Sequence, residues 1–248
     1  MEKKMRAQIA GVILSLLAGI GASSRALAEE ETSPTMTAYR ALSVEERDEF
    51  LRSMARSLES VRSMRADFVQ ERRLSLFLDP LTAKGICCFE RPNKLRWELS
   101  EPYVTVLIYN GKKVAKFDRV DGRFRRMKLG AEDLLREVLG QVIGWIKGDF
   151  KDAKELYEIR LLKGSDYRLV LRPRSEELGK MIEAVELSID PASLRVRCVT
   201  IREPQDDYLE IRFLKEQLNP PFDPGTFDPK DPLLPKAPSS GDGTSQDN

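Results

Sequence analysis

The sequence predicts an α+β, mostly β fold in which about eleven antiparallel strands form one large sheet. Short apolar segments separated by turn residues occur on both sides of residues 132–147, and such segments are typical of antiparallel strands. Two other segments repeat their apolar residues at helical spacing, one before the strands and one midway. Because a sheet of this size must curl or close, we expect the two helices to cover its open concave side.

The first helix is predicted to begin after Ser43 and to run to about Ser60. Ser43-Val44-Glu45-Glu46 has the capping-box pattern, in which the serine hydroxyl accepts a backbone amide and Glu46 reaches back. Apolar residues then recur on one helical face, namely Phe50, Leu51, Met54, Ala55, Leu58 and Val61. This pattern predicts an amphipathic helix that lies on an apolar surface.

Six strands are predicted next, at residues 65–76, 82–90, 94–100, 103–109, 112–118 and 123–128. Arg91-Pro92-Asn93, Asn110-Gly111 and Asp121-Gly122 supply turns between them, and Asn-Gly between two apolar segments is a strong hairpin signal. Five more strands follow the second helix, at residues 156–163, 167–172, 180–189, 193–203 and 208–216.

The second helix, residues 132–147, carries a wide apolar stripe. Its members are Leu134, Leu135, Val138, Leu139, Val142, Ile143 and Ile146. Gly140, Gly144 and Gly148 interrupt this segment and weaken the helix. The stripe suits a movable lid, although an apolar stripe is equally typical of a fixed core helix.

Residues 1–28 have the three parts of a secretory signal peptide. Lys3, Lys4 and Arg6 form a basic start, the run from Ile9 to Ile20 is apolar, and Ala26-Leu27-Ala28 is a small-x-small cleavage pattern. The apolar run is shorter than the about 20 residues that a spanning helix needs. Secretion with cleavage after Ala28 is therefore expected.

The remaining chain divides into three predicted regions: a flexible segment at 29–42, one folded domain at 43–228, and a disordered tail at 229–248. The tail is rich in Pro, Asp, Gly and Ser and has too little apolar content to fold. Removal of the signal peptide takes four of the 41 basic and one of the 40 acidic residues, so the mature chain is close to neutral. It lacks the basic footprint of a nucleic-acid-binding protein.

The chain has no histidine and three cysteines, Cys87, Cys88 and Cys198. Without histidine there is no Ser-His-Asp or Cys-His catalytic arrangement and no His-rich zinc site, so we expect no enzyme, cofactor or metal centre. Cys87 and Cys88 are neighbours on a strand and point to opposite faces. Either could pair with Cys198 in an oxidising compartment, or all three could remain buried thiols.

A series of short motifs occurs in a fixed order: Phe68-Val69-Gln70, Gly85, Arg91-Pro92-Asn93, Trp97, Pro102 and Gly111-Lys112. Weaker ones follow at Leu171-Arg172-Pro173, Gln205-Asp206-Asp207 and Pro224–Pro229. In this order, after a signal peptide, the motifs resemble the periplasmic outer-membrane lipoprotein carrier family of the Lol pathway. The resemblance covers residues 50–228.

The resemblance implies an incomplete β-barrel, or half-barrel, with a helical lid over an apolar cavity. It also implies a monomeric periplasmic chaperone without cofactors. Its partners would be acylated lipoproteins, an inner-membrane lipoprotein-release transporter and an outer-membrane lipoprotein receptor. The arginine of the Arg-Pro-Asn turn, Arg91 here, would contact the lid and help to set its closed state.

The predicted acyl-chain contacts come from the lid and from the strands. The lid supplies Leu134, Leu135, Val138, Leu139, Val142 and Ile143, and the strands supply Phe68, Ile86, Leu95, Trp97, Leu99, Val106, Ile108, Leu169 and Leu187. All of these residue types also occur in an ordinary protein core.

Two other functions fit the sequence. The same half-barrel could bind or sense a different lipid in the periplasm. A periplasmic glycoside hydrolase would need a pair of spaced carboxylates, and no spacing of Asp or Glu singles out such a pair.

Overall fold

The computed structural model describes residues 39–129 and 132–233, without the side chains of residues 134, 137 and 138. The predicted signal peptide, most of the flexible segment and the tail beyond Leu233 lie outside the described residues. No helix of the described part is long and apolar enough to cross a membrane.

Twelve strands form one open antiparallel sheet in the order β1-β8-β9-β10-β11-β12-β2-β3-β4-β5-β6-β7. The strands are β1 (Arg40–Ala41), β2 (Ser63–Arg73), β3 (Leu81–Glu90), β4 (Lys94–Glu101), β5 (Thr105–Tyr109), β6 (Val114–Val120), β7 (Arg123–Arg126), β8 (Tyr157–Lys163), β9 (Tyr167–Pro173), β10 (Ala184–Ile189), β11 (Val196–Arg202) and β12 (Tyr208–Leu218). The prediction of a large antiparallel sheet is confirmed, and each of the eleven predicted strands is present.

The twelfth strand, β1, was not predicted. Arg40 and Ala41 pair with Lys163 and Leu162 of β8, so the end of the predicted flexible segment is part of the sheet. Two residues are too few to show the alternation by which a strand is recognised in a sequence.

Four α-helices are described: α1 (Val44–Ser57), α2 (Glu132–Ile146), α3 (Ala153–Leu156) and α4 (Glu176–Gly179). The predicted capping box of α1 is present, because Glu46 N donates to Ser43 Oγ at 3.2 Å and Ser43 N donates to Glu46 Oε2 at 2.7 Å. The one-turn helices α3 and α4 were not predicted, since four residues carry no helical period.

Side-chain alternation gives the sheet two faces. The inner face is the one that α1 and α2 cover, and it carries the main core together with Leu51 and Met54 of α1 and Leu135, Leu139 and Ile143 of α2. The outer face carries a small cluster of Cys88, Val106, Ile108, Ala115, Phe117 and Phe227. The apolar interior therefore lies between one face of the sheet and two helices.

The chain after β12 packs on the outer face. The rings of Phe222 and Phe227 meet edge to face at 5.3 Å, and the buried Arg96 guanidinium donates to the backbone carbonyls of Thr226 and Pro232. Arg96 also pairs with Glu98 at 2.7 Å. The start of the predicted disordered tail is thus held to the sheet as far as Pro232.

Gly85 is required where β3 passes beneath an aromatic ring. A Cβ atom at this position would overlap the backbone oxygen of Glu98 and lie 2.5 Å from the Phe68 ring. We expect Gly85→Ala to lower the free energy of unfolding by about 1–3 kcal/mol, the usual cost of overpacking.

The control for Gly85→Ala is Gly140→Ala on α2, where no described atom outside the neighbouring helix backbone lies within 4 Å of the added Cβ. Alanine there should raise stability by up to about 1 kcal/mol through helix propensity. Urea denaturation of both variants measures this, and equal stability of Gly85→Ala and the wild type would contradict the proposed clash.

Candidate functional site

A small pocket lies between α2, the turn after α1 and the sheet, with a cavity volume of about 50 Å³. Its apolar lining includes Val61, Met64, Val142, Ile146, Val199 and Phe213. Arg195 and Glu216 also line it and form an ion pair at 2.6 Å. A water molecule occupies about 30 Å³ of liquid, so with α2 in this position the pocket is too small for a long acyl chain.

Helix α2 places its apolar stripe on the inner face, as predicted. Leu135, Leu139 and Ile143 are buried there, and Val142 is partly buried against them. The predicted contacts Leu134 and Val138 lie outside the side chains that the structure describes.

The end of α2 adds a buried residue that the helical stripe did not include, Trp145. It is buried because the chain turns back at Gly148, which has a φ of +71° and would place a Cβ 3.2 Å from the backbone of Met54 and Ala55. The C-terminal end of α2 is therefore packed against α1.

The two helices are attached to the sheet in different ways. Arg47 of α1 donates to the carbonyl of Ile159 at 2.9 Å. The side-chain hydrogen bonds between α2 and the sheet are longer: Arg136 of α2 donates to the carbonyl of Lys112 in the β5–β6 turn at 3.3 Å, and the Tyr157 hydroxyl of β8 donates to Gln141 Oε1 of α2 at 3.4 Å. Among the described side chains, α2 is therefore held mainly by apolar packing.

Six of the predicted strand contacts lie together in the core of the inner face: Phe68, Leu95, Trp97, Leu99, Leu169 and Leu187. Of all the predicted contacts, Val142 is the one that lines the described pocket. The six strand residues belong to the inner core without lining the pocket itself.

Three predicted contacts lie on the other side of the sheet. Val106 and Ile108 belong to the outer cluster, and Ile86 packs against it. The register explains the correction: Ile86 pairs with Glu98, whereas its neighbour Cys87 pairs with the inward Trp97. These three side chains are therefore separated from the apolar interior by the sheet itself.

Residues that the sequence analysis missed take their places on the inner face. Leu107 and Tyr109 of β5 belong to the inner core, and Phe213 of β12 lines the pocket. Alternation along β12 could have identified Phe213. In β5, however, four of the five residues are buried, so the hydrophobicity of this strand does not distinguish its two faces.

Trp97 lies at the centre of an aromatic group in the inner core. Its ring stacks on Phe68 with a centroid distance of 4.2 Å and meets the edge of Phe213 at 6.2 Å. Its indole Nε1 is buried and has no hydrogen-bond partner among the described residues.

Arg91 contacts the end of α1. Its Nε donates to the carbonyl of Val61 at 2.6 Å, and its terminal nitrogen donates to the carbonyl of Leu58 at 2.9 Å. Leu58 and Val61 line the pocket together with α2. Arg91 thus fixes the pocket wall opposite the lid, and its predicted control of the lid stays a prediction.

A buried ion pair lies near the other end of β2. Both terminal nitrogens of Arg72 donate to the carboxylate of Glu203, one of them at 2.7 Å. Burial raises the pKa of Glu203, and the hydrogen bond from Arg72 opposes this rise. Arg72 lies on the same face of β2 as Phe68. The apolar interior therefore ends at this charged pair.

The three cysteines are free thiols. Cys198 lies on β11, three strands from Cys87 and Cys88 on β3. At about 4.8 Å per strand, the separation far exceeds the Cα distance of about 7 Å that a disulfide tolerates. Burial raises the pKa of Cys88 and Cys198 to about 11, and it raises the pKa of Cys87 well above the usual range of a thiol.

No cluster of metal-ligating side chains is found in the part of the chain that the structure describes.

The family model "Outer membrane lipoprotein carrier protein LolA" matches residues 59–230. The chain belongs to the LolA family. A comparison with curated proteins finds none that matches this LolA-family chain.

Several solved structures are similar to this LolA-family chain. A LolA superfamily protein from Nitrosomonas europaea is 10% identical, with 72% of this chain and 97% of that chain covered and a TM-score of 0.36. Lipoprotein LppX of Mycobacterium tuberculosis is 10% identical, with 73% and 99% covered and a TM-score of 0.39. The MucA/MucB complex of Pseudomonas aeruginosa gives 16% identity, 74% and 60% coverage and a TM-score of 0.38.

Removal of one partner of the buried ion pair should be costly. We expect Arg72→Leu to lower the free energy of unfolding by about 3–5 kcal/mol at pH 7, because it leaves an uncompensated buried carboxylate. The penalty applies to Glu203 in its ionised form, and burial already raises the pKa of this carboxyl group. The loss should therefore diminish as the pH falls and Glu203 takes up a proton.

Denaturation at pH 7 and pH 4.5 measures this effect. Arg52→Leu, which removes an exposed partner of Glu49, is the control and should change stability little. An Arg72→Leu loss that is equal at both pH values would contradict the role assigned to ionised Glu203.

The thiols should react slowly in the folded protein. At pH 8 the raised pKa values keep Cys88 and Cys198 protonated, and the thiolate is the reactive form. We expect slow modification by a thiol reagent that accelerates towards pH 11, and three rapid equivalents after unfolding without reductant. A Cys198→Ser variant should give two equivalents, and a wild-type value of one would instead indicate a disulfide.

Proposed function

We propose that this LolA-family protein is a periplasmic carrier that binds the acyl chains of lipoproteins and transfers them from the inner to the outer membrane. The observation that carries the proposal is the continuous apolar core on the inner face, covered by a helix that packing holds in place. Such a face supports binding of a long hydrocarbon chain once the helix moves aside.

The energetic need for such a carrier follows from chain length. Each methylene moved from a bilayer into water costs about 0.8 kcal/mol, so one long acyl chain costs on the order of 10 kcal/mol. A carrier offsets this cost with an apolar surface of its own. It must also release the chain, so its affinity has to lie between those of the donor and the acceptor membrane.

Competition between α2 and the acyl chain supplies this intermediate affinity. In the empty protein Leu135, Leu139 and Ile143 fill the inner face. Cargo gains the same apolar surface only by displacing them, so the free energy of binding is reduced by the free energy of lid closure. The protein acts as a monomer without catalysis or cofactor in this scheme.

Two membrane partners complete the transfer. An inner-membrane lipoprotein-release transporter would supply acylated lipoproteins, and an outer-membrane lipoprotein receptor would accept them. Arg91 supports the cycle by fixing the wall that α2 closes against, through its bonds to the carbonyls of Leu58 and Val61.

A release assay tests the proposal. Spheroplasts of the source cell are incubated with the purified mature protein, and the supernatant is probed for soluble lipoproteins. We expect lipoproteins in complex with the protein. The Arg91→Leu variant should change the amount retained at least severalfold, because loss of both hydrogen bonds alters the wall against which the lid closes.

Arg52→Leu, on the exposed face of α1, is the matched control and should behave as the wild type. Release of no lipoprotein, together with extraction of phospholipid or glycolipid from the purified protein, would reject the carrier role in favour of binding or sensing another lipid. Protein that neither carries nor accepts lipid would contradict both functions.

A further inference from the structure

We infer that the indole N–H of Trp97 recognises the carbonyl group at the head of a bound acyl chain. The ligand class is a fatty ester or fatty amide rather than a hydrocarbon chain alone. The inference rests on the proposed function, because it names the polar contact of that same apolar site.

The first observation is the unpaired donor. Trp97 is 5% exposed, and its Nε1 has no acceptor among the described residues. The indole nitrogen can only donate, and a buried indole N–H usually has a partner. A donor left unpaired in an apolar interior is unfavourable, so its presence requires an explanation.

The second observation is the position of this donor beside the pocket. Trp97 touches Phe213, which lines the pocket. Trp97 of β4 pairs with Cys87 of β3, and Cys87 pairs with Ala66 of β2. Ala66 lies two residues after Met64, which lines the pocket. The aromatic group around Trp97 therefore lies directly behind the pocket wall that Phe213 forms.

The chemistry of an acyl chain supplies the missing acceptor. Its methylenes need only an apolar surface, but its ester or amide oxygen loses water on burial and must be paired to avoid the same penalty. The Trp97 N–H and the acyl carbonyl satisfy each other, which leaves neither unpaired. An alkane of equal length has no acceptor atom and gains nothing from this donor.

A comparison of three probes on two variants tests the inference. Methyl hexadecanoate, N-methylhexadecanamide and octadecane each compete with a fluorescent fatty-chain probe for the mature protein. Trp97→Phe keeps an aromatic ring on Phe68 and removes the N–H. It should weaken binding of the ester and the amide about tenfold, the effect of one buried hydrogen bond, and change binding of octadecane less than twofold.

The chain has one other tryptophan, and it provides the control. Trp145→Phe makes the same substitution in the pocket wall and should alter the affinities for all three probes by one common factor. Weakening of the ester but not the amide by Trp97→Phe would assign the contact to ester-linked chains, and the reverse would assign it to amide-linked chains.

Three results are decisive against the inference or against its premise. Equal weakening of octadecane and ester binding by Trp97→Phe would show that Trp97 contributes packing only, and no weakening of either would show that the ligand does not use the N–H; each result overturns the inference. Wild-type protein that binds none of the probes would instead overturn the proposed function.

A measurement on the wild-type protein covers the case in which Trp97→Phe does not fold. The two indole N–H resonances are assigned with Trp145→Phe, and the ester and octadecane are added in turn. The Trp97 resonance should move downfield with the ester and not with octadecane. Identical shifts with both probes would contradict the hydrogen bond.

Discussion

The pairing of β12 with β2 is the interaction on which the rest of the structure depends. The strands form two series in sequence, β2–β7 and β8–β12, with α2 between them, and β12 joins these series by lying beside β2. The register sets Phe213 opposite Phe68, so the aromatic group around Trp97 contains residues from both series. The continuous inner face, and with it the surface that α2 covers, exists only when this pair forms.

A continuous apolar face must be covered, and the chain covers it with two helices that are held in different ways. Directed bonds fix α1: the capping box, the bond from Arg47 to Ile159, and the bonds from Arg91 to the turn that follows. Packing holds α2. Apolar contacts have no direction, so in the proposed carrier an acyl chain replaces the apolar side chains of α2 and breaks, among the described side chains, only its two long hydrogen bonds, to Lys112 and from Tyr157. A lid held by short hydrogen bonds could not be exchanged in this way.

The sequence was sufficient for the longer elements and insufficient for the faces of the sheet. Alternation and turn residues identify eleven strands, and the capping box identifies the start of α1, because these signals are local. The face of Ile86, Val106 and Ile108 depends on register, and β5 is buried on both sides, so its hydrophobicity carries no direction. The Arg72–Glu203 pair joins residues 131 positions apart, and no local pattern marks Arg72 as buried.

The unpaired indole of Trp97 also bears on release. A buried donor without an acceptor costs about 1–3 kcal/mol, and in the covered state the protein bears this cost. A carbonyl group on the cargo removes this cost. Part of the binding free energy therefore comes from the unpaired donor, which makes the protein without cargo less stable than its packing alone would. Because this gain depends on the head of the chain, withdrawal of the carbonyl would restore the penalty before the methylenes have left. Under the proposed carrier function, a partly withdrawn chain would be held less tightly than a fully inserted one, and this difference would favour completion of transfer.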